Sequence, residues 1–179
     1  MRRCLLRSTP RPHSGFRLTS AACRWIAATL SEGHPALAHV EALEAAGVTL
    51  GRSRTTESNG SIFEAFAAIG IESKDHAQEL CELARAVATP DATHPAMLGF
   101  VLPSGVTGHD DDGEKGAGRR IVEAATAASP PPAAPRTVGV AICVTRYYGG
   151  VMLGKKRWTM IRAAADDAVA SAVAARCAE

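Results

Sequence analysis

Residues 138–145, Val-Gly-Val-Ala-Ile-Cys-Val-Thr, form an apolar run with no alternation of polar and apolar positions. A strand of that composition is buried on both faces, so the run predicts a strand at the centre of a sheet. It passes at once into a glycine-punctuated loop at 146–154. The loop opens a helix on which Trp158, Ile161, Ala165, Ala168, Val169, Ala172 and Val173 keep helical spacing.

The rest of the chain has to gather around that strand. Residues 61–71, with Ile62, Phe63, Phe66, Ile69 and Ile71, predict a first strand, and residues 96–102 a second, ended by Pro103-Ser104-Gly105. Between them Ala77, Leu80, Cys81, Ala84, Val87 and Ala88 mark one face of a helix, with Asp75 as cap, Gln78 in the capping-box position and Pro90 as the stop. Ile121, Val122, Ala125 and Ala128 predict another helix, and the four prolines of 129–135 an extended connection. The loop at 103–109 suits a hairpin, and strands and helices do not alternate in a doubly wound rhythm. The expected class is α+β, a two-layer βαβ-type sandwich. Residues 33–50 offer only a short helix at 37–46, ended by Gly47, and the polar segment 51–60 predicts a loop. The expected organisation is therefore a leader at 1–31, a linker at 32–51 and one domain at 52–179. No internal repeat is visible.

Charge separates the leader from the rest. Six of the 20 Lys+Arg are arginines before Glu32, and none of the 18 Asp+Glu lies there. The net +2 thus belongs to the leader, and the remainder carries −4. An arginine- and Ser/Thr-rich, acid-free start has the composition of a mitochondrial transit peptide, with a basic RNA-binding arm as the alternative. No apolar run is long enough to span a bilayer. Cys4, Cys23, Cys81, Cys143 and Cys177 are odd in number and share no short spacing, which excludes a disulfide framework and a paired-ligand zinc site. Cys81 and Cys143 read as small core residues, and the implied compartment is reducing.

Two segments can carry chemistry. Asp110-Asp111-Asp112-Gly113-Glu114 clusters carboxylates that can hold Mg²⁺ or act as an acid–base pair. The same residues also make a tight Asp-Gly turn with Glu114 near a helix start. The loop Arg146-Tyr147-Tyr148-Gly149-Gly150, with Lys155, Lys156 and Arg157 at the helix start, offers amides and cations to a phosphate and tyrosines to a base. Alternatively, the tyrosines pack beneath the helix and the glycines merely permit the turn. The loop is not a Walker A motif, since the spacing is one residue short and no Ser or Thr follows the lysine. His94 stands alone, and no Ser, Cys or Lys has the context of an activated nucleophile.

Four stretches in order resemble the YigZ/IMPACT family: Ser61-Ile62-Phe63-Glu64-Ala65, Ala92-Thr93-His94, Asp111-Asp112-Gly113-Glu114 with Ala117-Gly118, and Val144 through Gly154. The last two are specific, and the resemblance covers 52–173. The continuation Leu153-Gly154-Lys155-Lys156-Arg157-Trp158 is similar to the eukaryotic branch. Pro95 and Lys115 depart from the Asn and Pro common at those points.

The resemblance implies a fold like the fourth domain of elongation factor G, no settled enzymatic activity and no cofactor. Neither the ferredoxin-like domain of bacterial members nor the RWD domain of eukaryotic IMPACT is expected here. With the leader, it implies a non-enzymatic, translation-associated module in the mitochondrion that docks on the mitochondrial ribosome, its rRNA and proteins. No membrane and no small-molecule substrate is expected. A cytosolic IMPACT-like regulator of the amino-acid-starvation kinase and a Mg²⁺-dependent enzyme are the alternatives. The expected RNA- or partner-binding residues are Arg146, Tyr147, Tyr148, Gly149, Gly150, Lys155, Lys156, Arg157, Arg119 and Arg120. Asp111, Asp112, Gly113, Glu114 and His94 form the family signature. No residue is assigned to a metal.

Overall fold

The computed structural model describes residues 20–129 and 138–178. In chain order they form α1 (Ala21–Thr29), α2 (Pro35–Ala45), β1 (Thr49–Arg52), β2 (Thr56–Ser58), β3 (Ser61–Ile71), α3 (Lys74–Val87), β4 (His94–Val101), β5 (Thr107–Asp110), α4 (Ala117–Ala128), β6 (Gly139–Tyr147) and α5 (Lys156–Arg176). The six strands make one sheet in the order β1-β3-β6-β4-β5, with β2 also paired to β3. Every pair is antiparallel. β6 lies between β3 and β4, so those two strands run parallel to each other with β6 inserted between them.

That central place explains the unbroken apolar run. Successive side chains of a strand point to opposite faces. Ala141 and Cys143 enter one core cluster, with the buried residues of α1, α2 and α3. Val140, Ile142 and Val144 enter another, with those of α4 and α5. The protein is the expected α+β sandwich, and its sheet carries helices on both faces, which adds a layer to the two predicted. Cys81 and Cys143 meet in the first cluster with their sulfurs 4.0 Å apart.

Small residues set how closely the layers approach. α5 buries Ala164, Ala165, Ala168 and Ala172, and β3 offers Ala65 and Ala67 beneath it. A Cβ at Gly51 would lie 2.3 Å from the Ala168 carbonyl oxygen and equally close to the Ala172 nitrogen, so α5 rests on the bare backbone of β1. Each alanine removes little apolar area from water, but close approach multiplies the dispersion contacts between backbone atoms.

The N-terminal part differs from the sequence reading. Residues 32–51, expected as a linker with a short helix at 37–46, hold that helix as α2 but also most of β1, and the loop expected at 51–60 holds the end of β1 and all of β2. α2 begins at Pro35, with His34 Nδ1 accepting from the Ala36 N–H at 3.2 Å, and Gly47 follows in the left-handed region. β1 escapes a strand reading because Gly51, which looks like a breaker, is demanded by the contact with α5. At α3 the cap is Ser73, whose Oγ accepts from the His76 N–H at 3.3 Å, and not the predicted Asp75. Gln78 donates to Glu82 along the helix instead of closing a capping box.

Residues 1–19 of the expected leader, and residues 130–135 of the proline-rich connection, lie outside the described residues. Residues 20–31 do not behave as a detachable leader. Ser20 caps α1, and Ala22, Cys23 and Ile26 are buried in the first core cluster. Burial pushes the Cys23 thiol up to about 12. Trp25 stacks under the Arg52 guanidinium, 3.7 Å from the ring centre. No helix among the described residues is long and apolar enough to cross a membrane.

If α1 belongs to the fold, Ile26→Ala will lower stability by about 2–5 kcal/mol, the range for emptying a buried aliphatic site. Urea denaturation reads this directly, and a loss below about 0.5 kcal/mol would show that α1 only rests on the surface.

Candidate functional site

The carboxylates of the acidic turn have separate sets of partners. Asp111 Oδ2 accepts from the Gly116 N–H at 2.8 Å and Oδ1 from the Gly118 N–H at 2.9 Å. Gly116 is the N-cap of α4, so Asp111 satisfies two amides that the helix itself leaves open. The bond from Gly116 is the main cause that holds the Asp111 carboxyl below the usual carboxylate range; burial opposes it, and the bond from Gly118 adds to it. Asp112 adopts the left-handed region at φ 47°. Its Oδ2 accepts from the Ala96 N–H at 2.7 Å, where the pairing of β4 with β6 is irregular. Its carbonyl oxygen lies 2.8 Å from His94 Nδ1. That nitrogen therefore carries a hydrogen, and Nε2 faces Glu114 at 3.5 Å.

Glu114 is buried and gathers the cations. Arg146 Nη1 donates to its Oε2, and Arg157 Nε stands 3.0 Å from its Oε1 as an ion pair without a hydrogen bond. Arg146 comes from the end of β6, opposite Phe63 of β3 and His94 of β4. Its side chain is 7% exposed, and its buried Nε has no hydrogen-bond partner. Among the described residues no group of three or more His, Cys, Asp or Glu side chains is placed to hold a metal ion.

The loop after β6 is pinned at its base. The Tyr148 N–H donates to Thr93 Oγ1 and the Gly149 N–H to Ser61 Oγ, each at 3.1 Å. A Cβ at Gly149 would stand 2.0 Å from the Gly60 carbonyl carbon, so only glycine lets this loop meet the β2–β3 turn. Tyr148 is 46% exposed, and the Arg146 guanidinium lies 5.7 Å from its ring centre. Tyr147 is half-buried, and its hydroxyl accepts from the Thr89 N–H at 3.4 Å. Val151 and Met152 stand exposed at the tip.

Of the residues singled out in the sequence, a cleft of about 360 Å³ brings together His94, Glu114, Arg146, Tyr148 and Arg157, with Thr93 and Met152 beside them. Lys155 and Lys156 are exposed next to it. Arg119 and Arg120 are elsewhere, exposed on α4 and paired with Glu123 of their own helix. Arg157, expected as a free surface cation, is part of the ion cluster and stacks on Trp158 at 4.0 Å. The start of α5 is not an open amide nest, because the Lys156 and Trp158 N–H groups donate to the Leu153 and Lys155 carbonyls. Ser61 and Thr93 were visible inside the motifs as Ser-x-Phe and Ala-Thr-His, but nothing in their spacing showed that both hydroxyls hold the tyrosine loop.

Fold and cleft together make a small α+β domain with a charged cleft at the C-terminal end of its central strand. A family model of the Impact N-terminal domain matches residues 59–169, more than half of the chain, and the chain belongs to that family. It is a regulatory or binding protein of the IMPACT class. A solved structure described as the crystal structure of an hypothetical protein superimposes with a TM-score of 0.52 at 23% identity, covering 71% of this chain and 60% of that one. That likeness supports the fold, and the chain spans only that 60% of the solved protein. No curated protein matches the sequence significantly.

The depressed Asp111 carboxyl gives a signed expectation. Its contribution to stability is present above the unfolded aspartate value of about 3.9 and is lost as pH falls through the lower folded value. Asp111→Asn is expected to cost about 1 kcal/mol at neutral pH, the scale of a lost helix cap. The gap between wild type and variant should close as the wild-type carboxyl is protonated. Denaturation across that pH window checks this, and a gap that stays constant with pH would contradict it.

Proposed function

We propose that this protein is a non-enzymatic binding module that docks on the mitochondrial translation machinery through the loop face at 146–157. The observation that carries the reading is the pinned loop itself. It presents Tyr148, Val151 and Met152 to solvent beside Lys155 and Lys156, on a body whose net charge is otherwise negative. An acidic body does not bind nucleic acid indiscriminately, so contact is confined to this local basic and aromatic face. Family membership supports a binding or regulatory role. The three carboxylates of the acidic turn are already engaged with amides and guanidiniums, which supports a structural use for them over acid–base work. The arginine-rich, acid-free first residues support the mitochondrial address. Since α1 packs into the core, a processing cut that leaves the fold intact falls before Ser20.

The test uses Lys155→Ala/Lys156→Ala, which spares the ion-paired Arg157. Wild-type protein should co-sediment with ribosomes from mitochondria. The double variant should bind less and show a salt-dependence slope smaller by about 1.4, or about 0.7 per lost phosphate contact on single-stranded RNA. Unchanged affinity and slope in a folded double variant would remove this face from the contact. Diffuse cytosolic signal from a C-terminal fluorescent fusion would favour a cytosolic regulator instead.

A further inference from the structure

Resting on that docking reading, we propose that the cleft beside Tyr148 is a subsite for one internal nucleotide of single-stranded RNA, with its base on Tyr148 and its phosphodiester on Arg157 and Arg146. The cleft is built for a ligand of that kind in three respects. At about 360 Å³ it lies at the small end of the ~300–1,000 Å³ range of ligand pockets, so it takes one nucleotide-sized group and not an extended duplex. Arg146 is more than nine-tenths buried in its wall, and its Nε is without a partner, although burying such a group unsatisfied is costly. The Tyr148 backbone is fixed by the bond of its N–H to Thr93, and its ring has a guanidinium on one side with 46% of the residue still exposed. A base stacked there gains an aromatic contact that needs no sequence readout.

The charge of the cleft selects the form of the phosphate. Arg146 and Arg157 supply two positive charges and Glu114 one negative, so these three side chains sum to +1. A phosphodiester within a strand carries one negative charge and balances it. A terminal phosphate monoester carries about −1.5 to −2 and overcompensates it. The Glu114 carboxylate therefore holds the two arginines in place and also tunes the cleft to an internal link of the chain.

Fluorescence anisotropy with a labelled single-stranded uridine decamer tests this on the full-length protein, with thermal melting of each variant as the check on folding. Wild type should bind the decamer. Tyr148→Ala should weaken binding at least about fivefold, the lower end for loss of one stacked base, while Tyr148→Phe stays within about twofold of wild type. Arg157→Gln should reduce the salt slope by about 0.7. A decamer of abasic ribose-phosphate should bind the wild type as weakly as the uridine decamer binds the alanine variant. This arm needs no substitution and decides the matter even where a variant fails to fold. Equal binding of abasic and base-containing decamers, or an alanine variant that binds like wild type, overturns the subsite. No decamer binding with intact ribosome co-sedimentation also overturns it and leaves docking as a contact with ribosomal protein. Loss of both sinks the docking reading as well.

Discussion

The buried pair of Glu114 and Arg146, with Arg157 beside it, ties three parts of the chain together at one point. Glu114 leaves the acidic turn ahead of α4, Arg146 ends the central strand, and Arg157, drawn to the same carboxylate, opens α5. Taking a carboxylate and a guanidinium out of water costs several kcal/mol per ion, and their attraction repays this only with good geometry. Such a pair is thus a weak source of net stability but a strict specifier. Removing Glu114 strands Arg146 in a largely buried site, and the loop that displays Tyr148 begins at the next residues.

The packing of small residues supplies what the ion pair does not. With alanine as the commonest buried side chain of α4 and α5, the helices settle almost onto the sheet backbone. Close-packed interiors transmit displacement. The position of α5 over β1 and β3 therefore sets where Arg157 can reach, and the cleft inherits its width from alanines and a glycine outside it.

What was legible in the sequence follows from this. β6 and β3 were readable because burial on both faces, or nearly so, leaves long apolar runs, and β3 was placed at 61–71 as it occurs. α1 was masked by its setting: arginines and serines surround it, and only Ala22, Cys23 and Ile26 mark its inner face. β1 is four residues long with a glycine that reads as a turn. Charge pairs have no periodicity, so the meeting of Glu114 with Arg146 across 32 residues of sequence left no local trace. The cap that Asp111 provides lies five and seven residues before the amides it satisfies, outside any short capping pattern. The motifs named the candidate residues as a group, and only the fold shows that Arg119 and Arg120 stand apart from the cleft.

The specifying role of the buried pair is open to a single measurement, a double-mutant cycle on stability with Glu114→Gln and Arg146→Met, read by urea denaturation. Glu114→Gln leaves the buried Arg146 without its carboxylate and should cost about 3–5 kcal/mol; Arg146→Met leaves Glu114 with Arg157 and should cost less, and once Arg146 is gone Glu114→Gln should cost much less than it does in the wild type. The account predicts a coupling of about 2 kcal/mol or more. Losses that add within about 0.5 kcal/mol would show that the two residues act independently and would contradict it.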